Sequence, residues 1–593
     1  MIVIAICLLA IVFYRPILTR LGFGRYFGQP RPPATAPPRD TTASPPMSAA
    51  PEVRPAAPRG PAPAPALAAE AAPAAAIERR IHIETPLYDA EFSSAGARLL
   101  SIELKRFATA RNAHGPRPSP GAEVPVAERV RLAGAPTFQL DLGSGANRRP
   151  LGGLAYAVSE SLDAGHAVRA LTFTGRDPSG VQVRQTYRAR PDSYAMDLEV
   201  EITDVPASLP FTDYSLTVRS WPALTEADHR SDQRAMLASS LVGTNLHRDQ
   251  VGGLLKGPKS FDGNVAWAGV QSRYFVAVAA LVQGAARGVS ATGEERPLPP
   301  GALVNPGPRD RLVQDVAINT MIVSLPSAER PVHRFVLYAG PAELAALGKL
   351  PGTQLDRMVY LGYNWIRPIS ALLLRLLNMI EVVLRNYGVA IIVLATVLRL
   401  LLHPLNMASM KSMRAMQRLQ PRIDALRAKH KTDAQALNAA IMALYAEEKV
   451  NPAGGCLPML IQMPVLIALY QVLFNAIELR QAPFMGWIND LSAPDVLFTL
   501  GFFPVRLLPL LMAGSGLLLQ RMTPTSPQQA PTAYLMNLFM LYIFYNMPSG
   551  LVLYWTVMNV LSALQQWLVL RQDDQPGAAP ATGAARKRAP AGA

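Results

Sequence analysis

Residues 388–402 read GVAIIVLATVLRLLL, an apolar run whose one charge is Arg399. Similar runs recur at 456–474, 507–519, 534–547 and 551–570. Together the five predict membrane-spanning helices, several of them shorter than the roughly 20 residues of a standard span. The composition of the whole 593-residue chain agrees with a membrane part: half its residues are apolar, only 17% are charged, and mean hydropathy is +0.15. Cys7 and Cys456 both sit in apolar runs, so neither a disulfide framework nor a cysteine metal site can be built.

Working outward, 356–387 combines an apolar face (Trp365, Ile366, Ile369, Leu373, Leu376, Leu377) with Arg367, Ser370 and Arg375 on another, which predicts a helix lying in the membrane interface. Upstream, 77–355 changes texture. Met196, Leu198, Val200 and Ile202 alternate with Asp197, Glu199, Glu201 and Thr203, a half-buried strand. Further short runs, at 171–174, 181–187, 214–218, 274–279 and 334–338, are separated by turn signals such as 177–180 and 191–193. This pattern predicts a large antiparallel β-sandwich. The 54 prolines gather partly in 28–76, a Pro/Ala-rich spacer that cannot form a core. The apolar run 1–14 within 1–27 predicts a short retained anchor, because Arg15, Arg20 and Arg25 follow it rather than precede it.

Charge orients the bundle. The connection 407–450 holds Lys411, Arg414, Arg418, Arg422, Arg427, Lys429, Lys431 and Lys449, and the tail 571–593 is basic as well. Both belong on the cytoplasmic side, which places the β-domain outside. Within that connection Met416, Leu419, Ile423 and Leu426 face Leu437, Ile441 and Leu444 at helical spacing, predicting a helical hairpin. Its basic face suits anionic phospholipid, or docking of a ribosome or targeting factor.

Arg399 raises the functional question. At a bilayer centre it would cost about 2.5 to 3.5 kcal/mol, so it faces protein, water or a headgroup. One reading has it reach the headgroups past Pro404. The other has it line a wet cavity, with Thr396 on its own face and Trp555, Asn559, Ser562 and Gln566 as a polar stripe on the last run. Gln462, Gln471 and Asn475 interrupt another run. Such stripes either bind helices together or line water, and spacing does not choose between them. No Walker-type glycine loop is present and the eight histidines have no ligand spacing, so no cofactor and no metal are expected.

The run NPAGGCLPMLIQMP at 451–464 resembles the signature of YidC-type membrane protein insertases. LRQAPF at 479–484, PSGLVLY at 548–554, LQP at 419–421 and FVLYAGP at 335–341 are similar to that family's outer loop, last hairpin, cytoplasmic hairpin and outer β-domain. The resemblance implies a five-helix insertase core at 388–570, an amino-terminal anchor span, and a periplasmic β-supersandwich in a multi-pass protein of the bacterial inner membrane. It implies insertion and folding of nascent membrane proteins without covalent catalysis, alone or beside the Sec translocon. Arg399 would be the arginine of a hydrophilic groove, with Thr396, Gln462, Leu466, Tyr554, Trp555 and Asn559 around it and Lys411, Arg414, Arg418 and Arg422 docking partners. One departure is Trp555, where the family pairs tyrosines. The alternatives from other classes are a small-solute transporter and a membrane-anchored periplasmic sugar-binding module.

Overall fold

The computed structural model describes residues 78–573 apart from 110–122, 164–167, 207, 210–211, 221–225, 227–228, 299–312, 326–331, 431–432, 451–452, 501–502 and 523–529. The expected anchor, the Pro/Ala spacer and the tail beyond residue 573 lie outside the described residues.

Alternation becomes sheet as expected. The strand Ala195–Thr203 buries Met196, Leu198, Val200 and Ile202. Its outward acids meet arginines on the two neighbouring strands: Glu199 pairs with Arg188 at 2.8 Å and Arg334 at 3.1 Å, and Glu201 with Arg184 at 3.4 Å. Opposite charges across a ladder fix its register. This strand lies in a nine-stranded sheet ordered Asn245–Gln250, Leu237–Val242, Val265–Gln271, Phe275–Gln283, Val332–Pro341, Ala195–Thr203, Gln182–Ala189, Val168–Arg176, Ala157–Leu162. A six-stranded and a four-stranded sheet complete the domain, with every pairing antiparallel. Val265–Gln271, and Phe275–Gln283 over its first six residues, are buried on nearly every residue, which requires cover on both faces.

The helical part follows: α1 Arg367–Leu384, α2 Tyr387–Leu401, α3 His403–Arg418, α4 Gln420–Lys429, α5 Ala434–Glu447, α6 Ala453–Asn475, α7 Leu507–Met522, α8 Ala530–Phe544 and α9 Ser549–Asp573. All five apolar runs are helices. Among the described residues, however, no helix is long and apolar enough to cross a membrane. At about 1.5 Å per residue, the 15 residues of α2 reach only about 22 Å.

Ser370 departs from the expected polar face of α1. It is fully buried, and its hydroxyl donates to the Ala468 carbonyl of α6 at 3.4 Å. A small hydroxyl lets two helices approach closely. Trp365, expected on the apolar face, is exposed instead. Gly388 marks a similar approach at the start of α2, since a Cβ there would stand 2.0 Å from the Phe484 ring. The hairpin forms from α4 and α5, closed by Leu419, Ile423 and Leu444 with Leu426, Ile441 and Tyr445.

Sheet and bundle share one continuous core, running through Leu355, Met358, Leu361 and Ile366 into Leu373 and Leu377. The expected division at 355–356 thus falls inside packed structure. Two arginines close the join. Arg480, in the loop after α6, donates Nε to Glu226 at 2.8 Å and Nη2 to the Ala108 carbonyl at 2.7 Å. Both charged partners are nearly inaccessible, with side-chain exposures of 2% and 10%. From the sheet, Arg273 donates to the Phe474 carbonyl at 2.6 and 3.1 Å and lies over that ring. Beside the join, burial pushes the Glu478 carboxyl up to about 7, with Glu343 adding like-charge repulsion. Asn378 donates to it at 3.4 Å.

Removing one member of a buried ion pair strands the other. Arg480→Ala is therefore expected to destabilise the folded chain by about 3 kcal/mol, and Glu226→Gln added to it to recover part of that loss, read as thermal midpoints in detergent. For Glu478 the folded carboxyl holds its proton more tightly than the unfolded one. Its contribution is complete below about pH 4.5 and fades as pH rises through about 7. The thermal midpoint should fall across that window in the parent chain and fall less steeply in Glu478→Gln.

Candidate functional site

Packing along the bundle is graded. In α2 the buried residues are Gly388, Ala390, Ile391, Leu394 and Ala395, all in the half nearer the β-domain. Beyond them Val397, Leu400 and Leu401 are exposed. The same gradient holds in α6, where Ala468, Leu469, Val472 and Leu473 are buried while Gln462 and Leu466 are half-buried. In α7 the buried residues are Leu508, Pro509 and Met512, at its start. The bundle is closed at the β-domain end and loosens toward the hairpin.

Arg399 stands where the packing loosens. It is half-buried, its Nε is out of contact with solvent, and that atom has no hydrogen-bond partner among the described residues. Tyr554 of α9, itself buried, is the group with which Arg399 interacts electrostatically. Thr396, one turn earlier, donates its hydroxyl to the Ile392 carbonyl at 2.8 Å, satisfying itself within α2. Trp555 packs against Phe544 of α8, with ring centroids 5.2 Å apart.

The polar stripe of α9 divides. Asn559 donates to the Met512 carbonyl at 3.2 Å and the Ser515 hydroxyl at 3.3 Å, and Gln566 donates to the Met522 carbonyl at 2.9 Å. Ser562 turns back on the Met558 carbonyl at 2.6 Å. Asn559 and Gln566 thus tie α9 to α7, while Tyr554 is coupled to the α2 arginine only electrostatically.

Spacing on single helices did not reveal a second polar group. Gln565 pairs with His403 at 3.0 Å, joining α9 to the start of α3. Gln565 Oε1, Asn406 Nδ2 and Gln520 Nε2 are, like Arg399 Nε, buried without a hydrogen-bond partner among the described residues. They come from α9, α3, α7 and α2. His403 follows Arg399 by one turn, Asn406 follows His403 by another, and Gln520 lies beside the Met522 carbonyl that receives Gln566. All therefore belong to the hairpin end. Buried polar atoms that protein does not satisfy call for water or a ligand group.

Of the expected docking residues, Arg414 is half-buried and Arg418 exposed. Arg422 forms an ion pair with Glu448 across the hairpin and holds α4 to α5. The Lys411 side chain lies outside the described residues.

Two family models match the chain: the YidC periplasmic domain over residues 80–376 and the 60Kd inner membrane protein over 379–576. Relatives named membrane protein insertase YidC include one from Geobacter metallireducens, 33% identical over 95% of this chain and 96% of its own length. Another, from Pelobacter propionicus, is 35% identical over 85% of this chain and 89% of its own. A solved active YidC insertase with its first transmembrane domain resolved is similar at 17% identity and a TM-score of 0.34, covering 82% of this chain and 92% of that one. The chain belongs to the YidC family of membrane protein insertases.

Proposed function

We propose that this chain inserts and folds nascent proteins of the bacterial inner membrane through a solvated hollow around Arg399, with α2, α6, α7, α8 and α9 crossing the bilayer and the β-domain in the periplasm. The observation that carries this reading is the set of four unpartnered buried polar atoms at the loosened end of the bundle.

A polar segment of a client would leave water for this hollow and meet the Arg399 guanidinium, an undivided positive charge with free donor capacity. Its apolar segment would slide outward past Leu466 and the exposed Val397, Leu400 and Leu401 into lipid. The closed β-domain end keeps the hollow from becoming a pore. Helices of 15 or 16 residues, such as α2, α7 and α8, make the bilayer thin around them, which shortens the path a polar segment must cross. This supports insertion driven by solvation and charge, with no covalent step.

Arg414 and Arg418 on α3, together with Lys411 and beside the hairpin, would receive a ribosome or anionic phospholipid, and Arg422 would serve chiefly to hold α4 to α5 through Glu448. The Sec translocon would act beside the bundle for larger clients.

Arg399→Ala should slow insertion of a client with an acidic translocated segment about tenfold, as loss of one charge-assisted hydrogen bond implies, while Arg399→Lys keeps most activity. Reconstituted vesicles with a protease-protected reporter would measure both. Unchanged insertion by the alanine variant would remove the groove role.

A further inference from the structure

A second hollow, of about 850 Å³, lies at the other end of the bundle, between the nine-stranded sheet and the first helices. Cations outnumber anions in its lining. Lys259 and Asp249 pair with each other, while among the described residues the hydrogen-bond partners of Arg248 and Arg273 are neutral carbonyls. Arg248 donates to the Arg357 carbonyl at 2.7 Å and lies 5.2 Å from the Tyr360 ring centre; Arg273 caps the Phe474 carbonyl and ring. A carbonyl or an aromatic face satisfies a guanidinium's geometry without cancelling its charge. Burial and the nearby Arg367 and Arg357 draw the Arg248 guanidinium down to about 10, the effect of a charge with no counterion.

Arg248 and Gln271 both line this hollow, and in its wall Arg248 Nε and Gln271 Oε1 are closed to solvent without a hydrogen-bond partner among the described residues, on a glutamine only 5% exposed. A negatively charged acceptor suits the arginines, and a donor suits Gln271. A phosphodiester bearing a hydroxyl-rich headgroup supplies both. At the mouth Tyr363 is exposed; Trp365, two residues on, is exposed where amphipathic α1 begins, and Leu372, Met379, Val382 and Val383 continue the exposed apolar surface along it. Aromatic rings beside a cationic hollow, followed by an apolar strip, suit a headgroup with its acyl chains.

We propose that this hollow binds the headgroup of an anionic glycerophospholipid of the outer leaflet, phosphatidylglycerol in character, with Arg248 and Arg273 on the phosphate, Gln271 on a headgroup hydroxyl and the chains along α1. The bound lipid would anchor the β-domain to the membrane surface on the side opposite the Arg399 hollow. The inference rests on α1 lying at a membrane surface. Its test reads lipid selectivity rather than insertion, so its failure is distinguishable from failure of the insertase reading.

The full chain in phosphatidylcholine nanodiscs, doped with acyl-brominated phosphatidylglycerol or acyl-brominated phosphatidylcholine, provides the measurement. The Trp365 signal is taken as the difference from Trp365→Phe. Brominated phosphatidylglycerol should quench it at about fivefold lower mole fraction than brominated phosphatidylcholine, the effect expected of one surface charge. Arg248→Gln with Arg273→Gln should erase the preference, and the paired lysine variant, which keeps both charges and controls for folding, should retain it. Equal quenching by the two lipids in the parent chain, or a preference that survives the glutamine pair, overturns the proposal. So does calorimetric binding of inorganic phosphate in undoped discs with no lipid preference, which would make free phosphate the ligand.

Discussion

A guanidinium cannot give up its proton at any physiological pH, so a half-buried one must be solvated by something. Around Arg399 the apolar helices cannot supply that solvation, and Tyr554, with which it interacts electrostatically, is a neutral phenol and already buried. The bundle's shape follows this constraint. The helices pack tightly where the charges present have protein partners, as in the Arg480–Glu226 pair, and loosen where Arg399, His403, Asn406, Gln520 and Gln565 collect. A uniformly tight bundle would desolvate all of them, and a uniformly loose one would leave α2 without a core to hold it.

The closed end has its own means of staying closed. Arg480 and Glu226 form an ion pair nearly out of water, and such pairs add little net stability over apolar contacts, yet breaking one leaves a costly charge. Their value here is positional. The loop after α6 can seat on the β-domain in one arrangement only, because Arg480 also reaches the Ala108 carbonyl and Gln481 donates to the same oxygen at 3.0 Å. Gly388 under the Phe484 ring adds a steric match with the same loop.

Elements with a simple period were legible. The Met196 alternation is a strand with its apolar side buried, and the Leu419, Ile423 and Leu444 spacing closes a hairpin. What the residues left obscure depends on contacts between elements distant in the chain. Ser370 looks polar on a helical wheel, but its neighbour is an α6 carbonyl 98 residues away. Arg480 counts as one basic loop residue until Glu226 faces it. The α9 stripe has a real period, but period does not say which helix receives each side chain, and Asn559 goes to α7 rather than to the arginine. Asn406, Gln520 and Gln565 escaped notice because none of them joins a polar stripe read along a single helix; only the fold assembles them. Motif resemblance, by contrast, needed no contacts, since the strings at 451–464 and 548–554 keep their order along the chain.

Short helices and graded packing belong together physically. A helix of 15 residues spans about 22 Å against roughly 30 Å of hydrocarbon, so its ends draw water and headgroups inward. At the β-domain end that inward pull meets a sealed core and stops. At the hairpin end it meets exposed Leu400 and Leu401 on the lipid side and unsatisfied polar atoms on the protein side, and water gains hydrogen bonds by entering. In the proposed insertion polarity would penetrate from one face only. A bundle that admitted water from one side, exposed apolar surface to lipid beside it and closed the other side would lower a polar segment's barrier without opening a leak, and that asymmetry would need no energy source beyond the client's own preference for lipid.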